Sequence, residues 1–157
     1  MNSSRTCGDC TACCRTHKVP EIKKETGQLC RFCSGKGCGI YSKRPRSCQD
    51  FKCQWLIGFG EEEDRPDKSG RVLDFRKGKP WGRLLMIWEA GEGQFPNPNI
   101  WLMTREILNR GWLVVHIPLS GTRKLFLPGS VRMTKMLKKA ASLNGFIMTE
   151  FPVISER

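Results

Sequence analysis

The chain has 157 residues, 27 Lys and Arg against 15 Asp and Glu, a formal net charge of +12, and nine cysteines. The length fits one domain, or one domain with a small module attached, and it suffices for an ordinary hydrophobic core. A hydrophobic content of 39%, a mean hydropathy of -0.42 and the lack of any apolar run near about 18 residues disfavour a membrane protein and a disordered tail. Met1 to Thr16 has no apolar stretch of the kind a secretory leader carries. The expectation is therefore a cytoplasmic protein, whose dense thiols stay reduced and serve as metal ligands or redox groups.

All nine cysteines lie between Cys7 and Cys53. Residues 1–60 carry 11 basic and 4 acidic side chains and the remainder 16 and 11, so both parts are basic. Glycines and prolines, including Gly8, Pro20, Gly27, Gly35, Gly37, Gly39 and Pro45, interrupt the cysteine segment and read as loop. Metal coordination would supply the order that few ladder hydrogen bonds can give. The acidic run Glu61 to Asp64, followed by Arg65-Pro66-Asp67, reads as a solvated linker. The predicted organisation is a cysteine-rich metal-binding module over 1–60, a linker loop over 61–70, and a small α+β module over 71–157.

Within that last module, residues 71–75 and 84–89 read as strands; Leu84 to Trp88 is apolar on both faces, as in a central strand. Asn97-Pro98-Asn99 starts a helix whose stripe is Ile100, Trp101, Ile107 and Leu108, with Gly111 as the stop. Residues 112–117 and 122–127 read as a hairpin across Pro118 to Gly121. Ser130 is the expected cap of a second helix built on Met133, Met136, Leu137, Ala140 and Ala141, ended by Asn144-Gly145. The order gives a mostly antiparallel sheet with two helices on one face.

The cysteines fall as Cys7-x-x-Cys10-x-x-Cys13-Cys14, Cys30-x-x-Cys33, then Cys38, Cys48 and Cys53. Two intervening residues let both thiolates of a Cys-x-x-Cys loop turn toward one ion, and Gly8 would relieve crowding there. Soft thiolates select zinc, copper(I) or iron–sulfur clusters. Two tetrahedral zinc sites need eight thiolates, a bridged zinc cluster takes all nine, and iron–sulfur clusters take four each. Cys13 and Cys14 are neighbours, whose side chains are expected to diverge, so that they serve two different centres, or one serves and the other packs. His17 stands at Cys-x-x-His spacing as an alternative ligand. Arg44 reads as a counter-charge, Pro45 as a fixed turn, and Tyr41, Phe51 and Trp55 as cover for the centre or as a small core.

The first cysteine cluster, together with Cys38-Gly39-Ile40-Tyr41-x-x-Arg44-Pro45-x-x-Cys48-x-x-Phe51-x-Cys53-x-Trp55, resembles the YkgJ-type cysteine-cluster family. The likeness covers about a third of the chain; Cys30 and Cys33 and the later Arg65-Pro66-Asp67 resemble one subgroup, while Gln49 departs from the Arg common after the Cys48 position. The resemblance implies chelation of zinc or an iron–sulfur cluster, with a structural or redox role and no stated reaction. The flagellin lysine N-methylase, a larger protein, shares the cysteine motif.

Weaker signals give the alternatives. Lys43-Arg44-x-Arg46, Arg76-Lys77-x-Lys79 and Lys135-x-x-Lys138-Lys139, with Phe75 and Trp81 interleaved, suit a zinc-stapled nucleic-acid-binding module, although no named nucleic-acid motif is present. Glu89 to Gly93 resembles an S-adenosylmethionine turn, but Phe95, Pro96 and Pro98 stand where its helix should begin; a metal-dependent protein-modifying enzyme is the second alternative. His116 reads as a structural residue in an apolar strand. A protein partner and a nucleic acid both stay open as partners, and no membrane is expected.

Overall fold

The computed structural model describes residues 5–93 and 98–151. It is α+β, with five α-helices and a five-stranded mixed sheet. The chain divides into two compact units: Met1–Asp74 with Trp88–Gln94, and Phe75–Ile87 with Phe95–Arg157. The division thus falls inside the first two strands. The 61–70 stretch belongs to the cysteine unit and is structured rather than a linker. Glu62–Asp64 form a 3-10 turn, with a capping box between Glu61 and Asp64, and α3 follows at Pro66–Ser69. Gly60 turns into it at φ +76, where an added Cβ would meet the Asp64 carboxylate at 2.6 Å.

In the cysteine unit α1 is Ala12–Thr16 and α2 is Arg46–Asp50. Both are single turns, short because glycines and prolines crowd the sequence. Among the described residues, the buried apolar side chains here are Ala12, Val19, Trp55, Pro66, Val72, Leu73 and Trp88, a small set for a unit of this size.

Strand order in the sheet is β1 (Arg71–Gly78), β2 (Gly82–Glu89), β3 (Leu113–Ile117), β4 (Arg123–Phe126) and β5 (Phe146–Met148). The predicted hairpin is β3 and β4, antiparallel with Val115 opposite Leu125. The sheet is mixed rather than mostly antiparallel at this edge, because β5 pairs parallel with β4. Residues 84–89 are buried at every position, as a strand apolar on both faces should be.

Helix α4 spans Pro98–Asn109 and packs on β3, with Ile100, Thr104, Ile107 and Leu108 inward. Gly111 at φ +76 ends it as expected; the expected start at Asn97, and Phe95 and Pro96, lie outside the described residues. The second helix, α5, begins later than expected, at Lys135–Leu143. Thr134 caps it, its side chain accepting from Leu137 N at 3.2 Å, and Ser130 lies before it. Of the expected stripe, Leu137 and Ala141 are buried and Met136 is exposed. Among the described residues, no helix is long and apolar enough to cross a membrane.

His116 is 4% exposed, and its Nε2 pairs with the Thr104 hydroxyl at 2.7 Å. Burial, with the Lys124 charge, pushes its pKa down to about 4 from 6.5. The unfolded chain binds a proton there first, so this histidine's contribution is complete above pH 6.5 and is lost as pH falls toward 4. We expect the unfolding free energy to fall by up to about 3 kcal/mol over that window from this group alone. Denaturant titrations of the wild type and His116→Asn at several pH values check it, since the variant should lose that part of the slope.

Candidate metal centre

Seven cysteines converge on one concavity of about 90 Å3: Cys7, Cys10, Cys13, Cys14, Cys30, Cys38 and Cys48. A second cavity, of about 40 Å3, is lined again by Cys7, Cys10, Cys13 and Cys48 and adds Cys53. Cys33 lines neither, but hydrogen-bonds the Cys14 sulfur. Cys13 and Cys14 therefore do not part toward separate places; both border the larger cavity, and Cys14 also hydrogen-bonds Cys13. All nine are free thiols, although Cys33 and Cys38 face each other across an isolated antiparallel bridge.

Local structure explains this convergence. Cys10 N donates to Cys7 O at 2.9 Å, closing the first Cys-x-x-Cys turn, and Cys33 N donates to Cys30 O at 3.0 Å, closing the second. Gly8 sits at φ +53, and an added Cβ there would be 3.6 Å from Arg65, an ordinary contact. The backbone angle, and not crowding, is what calls for glycine. Cys30 N donates to Cys14 O at 2.9 Å, which joins the two motifs. Pro45 at the start of α2 has no side-chain oxygen to cap the helix, so Glu21 does so, accepting from Ser47 N at 2.8 Å and from the Ser47 hydroxyl. That contact steadies the turn bearing Cys48, and it lowers the Glu21 pKa.

The three aromatics take different parts. Tyr41 and Phe51 line the larger cavity; Tyr41 is 46% exposed and hydrogen-bonds Cys7, whose sulfur raises the phenol pKa. Arg44 lies over the Tyr41 ring at 3.8 Å and borders both cavities. Trp55 is buried, lines the smaller cavity, and donates from Nε1 to Glu61 O at 3.0 Å. His17 lines the larger cavity, with Nδ1 against the Thr16 hydroxyl at 2.7 Å and its ring 3.7 Å from Phe51 and 4.7 Å from Trp88.

Two site residues carry no sequence motif of their own for this role. Lys24 is only 3% exposed, and its ammonium donates to the carbonyls of Arg15, His17 and Glu25. Burial lowers its pKa, while the sulfurs of Cys30, Cys14, Cys13 and Cys48 act to raise it. Arg65 reaches the first cysteine turn, donating to Cys7 O at 3.3 Å and pairing with Asp9 and Asp67. The Arg65-Pro66-Asp67 segment is therefore a brace for the cysteine turn. Its only sequence signal was its place in the family-like pattern.

The donor set fits a soft metal. Burial is the leading cause pushing the Cys10 thiol up to about 11, and it also raises Cys48 and Cys53. Cys14 is raised chiefly by its hydrogen bond to Cys13. These thiols are thus held protonated at neutral pH. Among the described residues, no group of three or more His, Cys, Asp or Glu side chains is gathered as a formed ligand set. One buried donor that borders both cavities, Arg44 Nε, has no acceptor among the described residues. Donors of this kind hydrogen-bond the sulfurs of thiolate centres.

No family model, no curated protein and no solved structure matches the chain.

Removing the Lys24 ammonium leaves three carbonyls short of a charged donor. Lys24→Met should lower the unfolding free energy by about 2–3 kcal/mol, and Lys23→Met, at an exposed neighbour, by less than about 0.5 kcal/mol. Paired denaturant melts read the difference.

Proposed function

We propose that this chain is a small thiolate-ligated metal protein, with Cys7, Cys10, Cys13, Cys14, Cys30, Cys38 and Cys48 as the ligand pool and Cys53 as a further ligand. The observation that carries this reading is seven free cysteines around one cavity. A tetrahedral site takes four ligands, so seven exceed what one ion needs. A water occupies about 10–15 Å3 in the same measure, so about 90 Å3 suits more than one atom. Both points favour a multi-metal centre, either bridged zinc or iron–sulfur. The likeness of the motif to the YkgJ-type family supports the same reading.

When bound, such a centre supplies either a structural crosslink or a one-electron redox couple. The chain's own residues do the rest. Lys24 and Arg44 bring positive charge to a site that gains negative charge as thiols ionise. Phe51, Tyr41 and His17 wall it and limit water. Cys33 sits behind Cys14 as a hydrogen-bond partner. No residue is assigned a catalytic role. Glu89 is buried and Glu92 pairs with Arg15 at 3.8 Å, which gives no support to a cofactor turn at 89–93.

Metal analysis and an absorption spectrum of protein prepared without oxygen test the proposal. A brown protein absorbing around 400 nm means iron–sulfur, and a colourless zinc-loaded one means a zinc thiolate site. Well-folded protein free of any metal would sink it. Because the thiols carry protons, metal uptake should release protons, with affinity rising as pH rises. Cys14→Ser should lose bound metal, and Cys33→Ser should retain most of it. Equal loss in both would move Cys33 into the ligand set.

A further inference from the structure

We infer that the cysteine-free unit binds single-stranded nucleic acid at the turn between β1 and β2. The first observation is where the charge lies. The unit Phe75–Ile87 with Phe95–Arg157 carries 13 Lys and Arg against 3 Asp and Glu, a net of +10, and the cysteine unit carries 14 against 12, a net of +2. Nearly all of the chain's +12 therefore belongs to the unit with no thiols to neutralise. Ordinary soluble surfaces intersperse the two signs, and a field of one sign attracts a polyanion.

The second observation is a concavity inside that field. A cavity of about 200 Å3 is lined by Arg76, Lys77, Lys79, Trp81, Asn144 and Phe146. Arg76, Lys77, Lys79 and Arg83 are exposed, and residues 75–87 hold no acid. Trp81 is half-buried, its ring 5.7 Å from that of Phe146. Arg123, opposite Phe146 in the sheet, donates to Asn144 O at 3.3 Å and adds a cation beside the same wall. Asn144 donates from its amide nitrogen to Ala140 O at 2.8 Å, which orients the amide and leaves its oxygen as an acceptor.

Cations around a recessed indole match the chemistry of an unpaired nucleotide, with phosphates on the rim and a base against the ring. A duplex keeps its bases stacked and gains nothing from Trp81. An anionic membrane surface gains from the cations but not from a recessed ring. Leu143, Ile147 and Met148, which are exposed on the neighbouring α5 and β5, make that surface the serious competitor.

The test uses the full chain and labelled 12-nucleotide single strands of RNA and DNA, read by fluorescence anisotropy across a salt series. Four phosphate contacts predict a log–log slope near about -3. Arg76→Gln with Lys79→Gln should weaken binding at least about tenfold and reduce the slope by about 1.4. Trp81→Ala should weaken binding about tenfold with the slope unchanged, as lost stacking does. Circular dichroism confirms that the variants fold. Absence of binding at 50 mM salt (about a third of physiological ionic strength) overturns the inference. So does equal affinity for a duplex, or tighter binding to phosphatidylserine vesicles that ignores Trp81→Ala. Metal loading is scored in the same samples, so a failed metal centre and a failed nucleic-acid site read out separately.

Discussion

An ammonium has three protons to donate, and Lys24 spends all three on backbone carbonyls, those of Arg15, His17 and Glu25. The loop between α1 and the Val19–Lys24 bridge closes around that one group. Its importance follows from how little else organises the cysteine unit, where α1 and α2 are one turn each and the apolar core is small. A buried cation is costly unless it is hydrogen-bonded and near opposite charge. The carbonyls meet the first condition. The sulfurs of Cys13, Cys14, Cys30 and Cys48 stand where they meet the second once ionised. Folding of the loop and the electrostatics of the thiol cavity thus rest on the same side chain.

Dividing the chain by its folded units also changes the meaning of its charge. A cut at residue 60 leaves both parts basic, because the acids of 61–74, with Glu89 and Glu92, are counted with the sheet. Folding assigns them to the cysteine unit. There Asp64, Asp67 and Glu92 pair with Arg71, Arg65 and Arg15. In the cysteine unit 14 cations thus meet 12 acids, while the sheet unit keeps its surplus. Counter-charge for a thiolate centre and attraction for a polyanion are then not rival uses of the same residues.

What the sequence made legible was periodic or fixed by spacing. The β3–β4 hairpin, the stop at Gly111, the doubly buried run 84–88 and the gathering of cysteines each follow from local pattern. What it hid depends on contacts that no local periodicity announces, some of them far along the chain. Lys24 looks like one more surface lysine beside Lys23; only the bridge to Val19 turns it inward. Arg65 braces a turn 58 residues away. Strand β5 has three residues, too few to show alternation, and exists because β4 offers it an edge. Ser130 and Thr134 are both good caps by residue type, so the start of α5 is ambiguous from sequence, and Thr134 is the one whose oxygen reaches a free N–H.

The adjacency of Cys13 and Cys14 carries the last step. On a helix, neighbours point about 100° apart, which suggests separate destinations. Here the larger cavity is broad enough to receive both, and Cys13 also borders the smaller one with Cys7, Cys10 and Cys48. Two independent tetrahedral sites would need eight thiolates with none in common. Cys7, Cys10, Cys13 and Cys48 border both cavities, so the centre proposed above does not have to divide its ligands between two separate places.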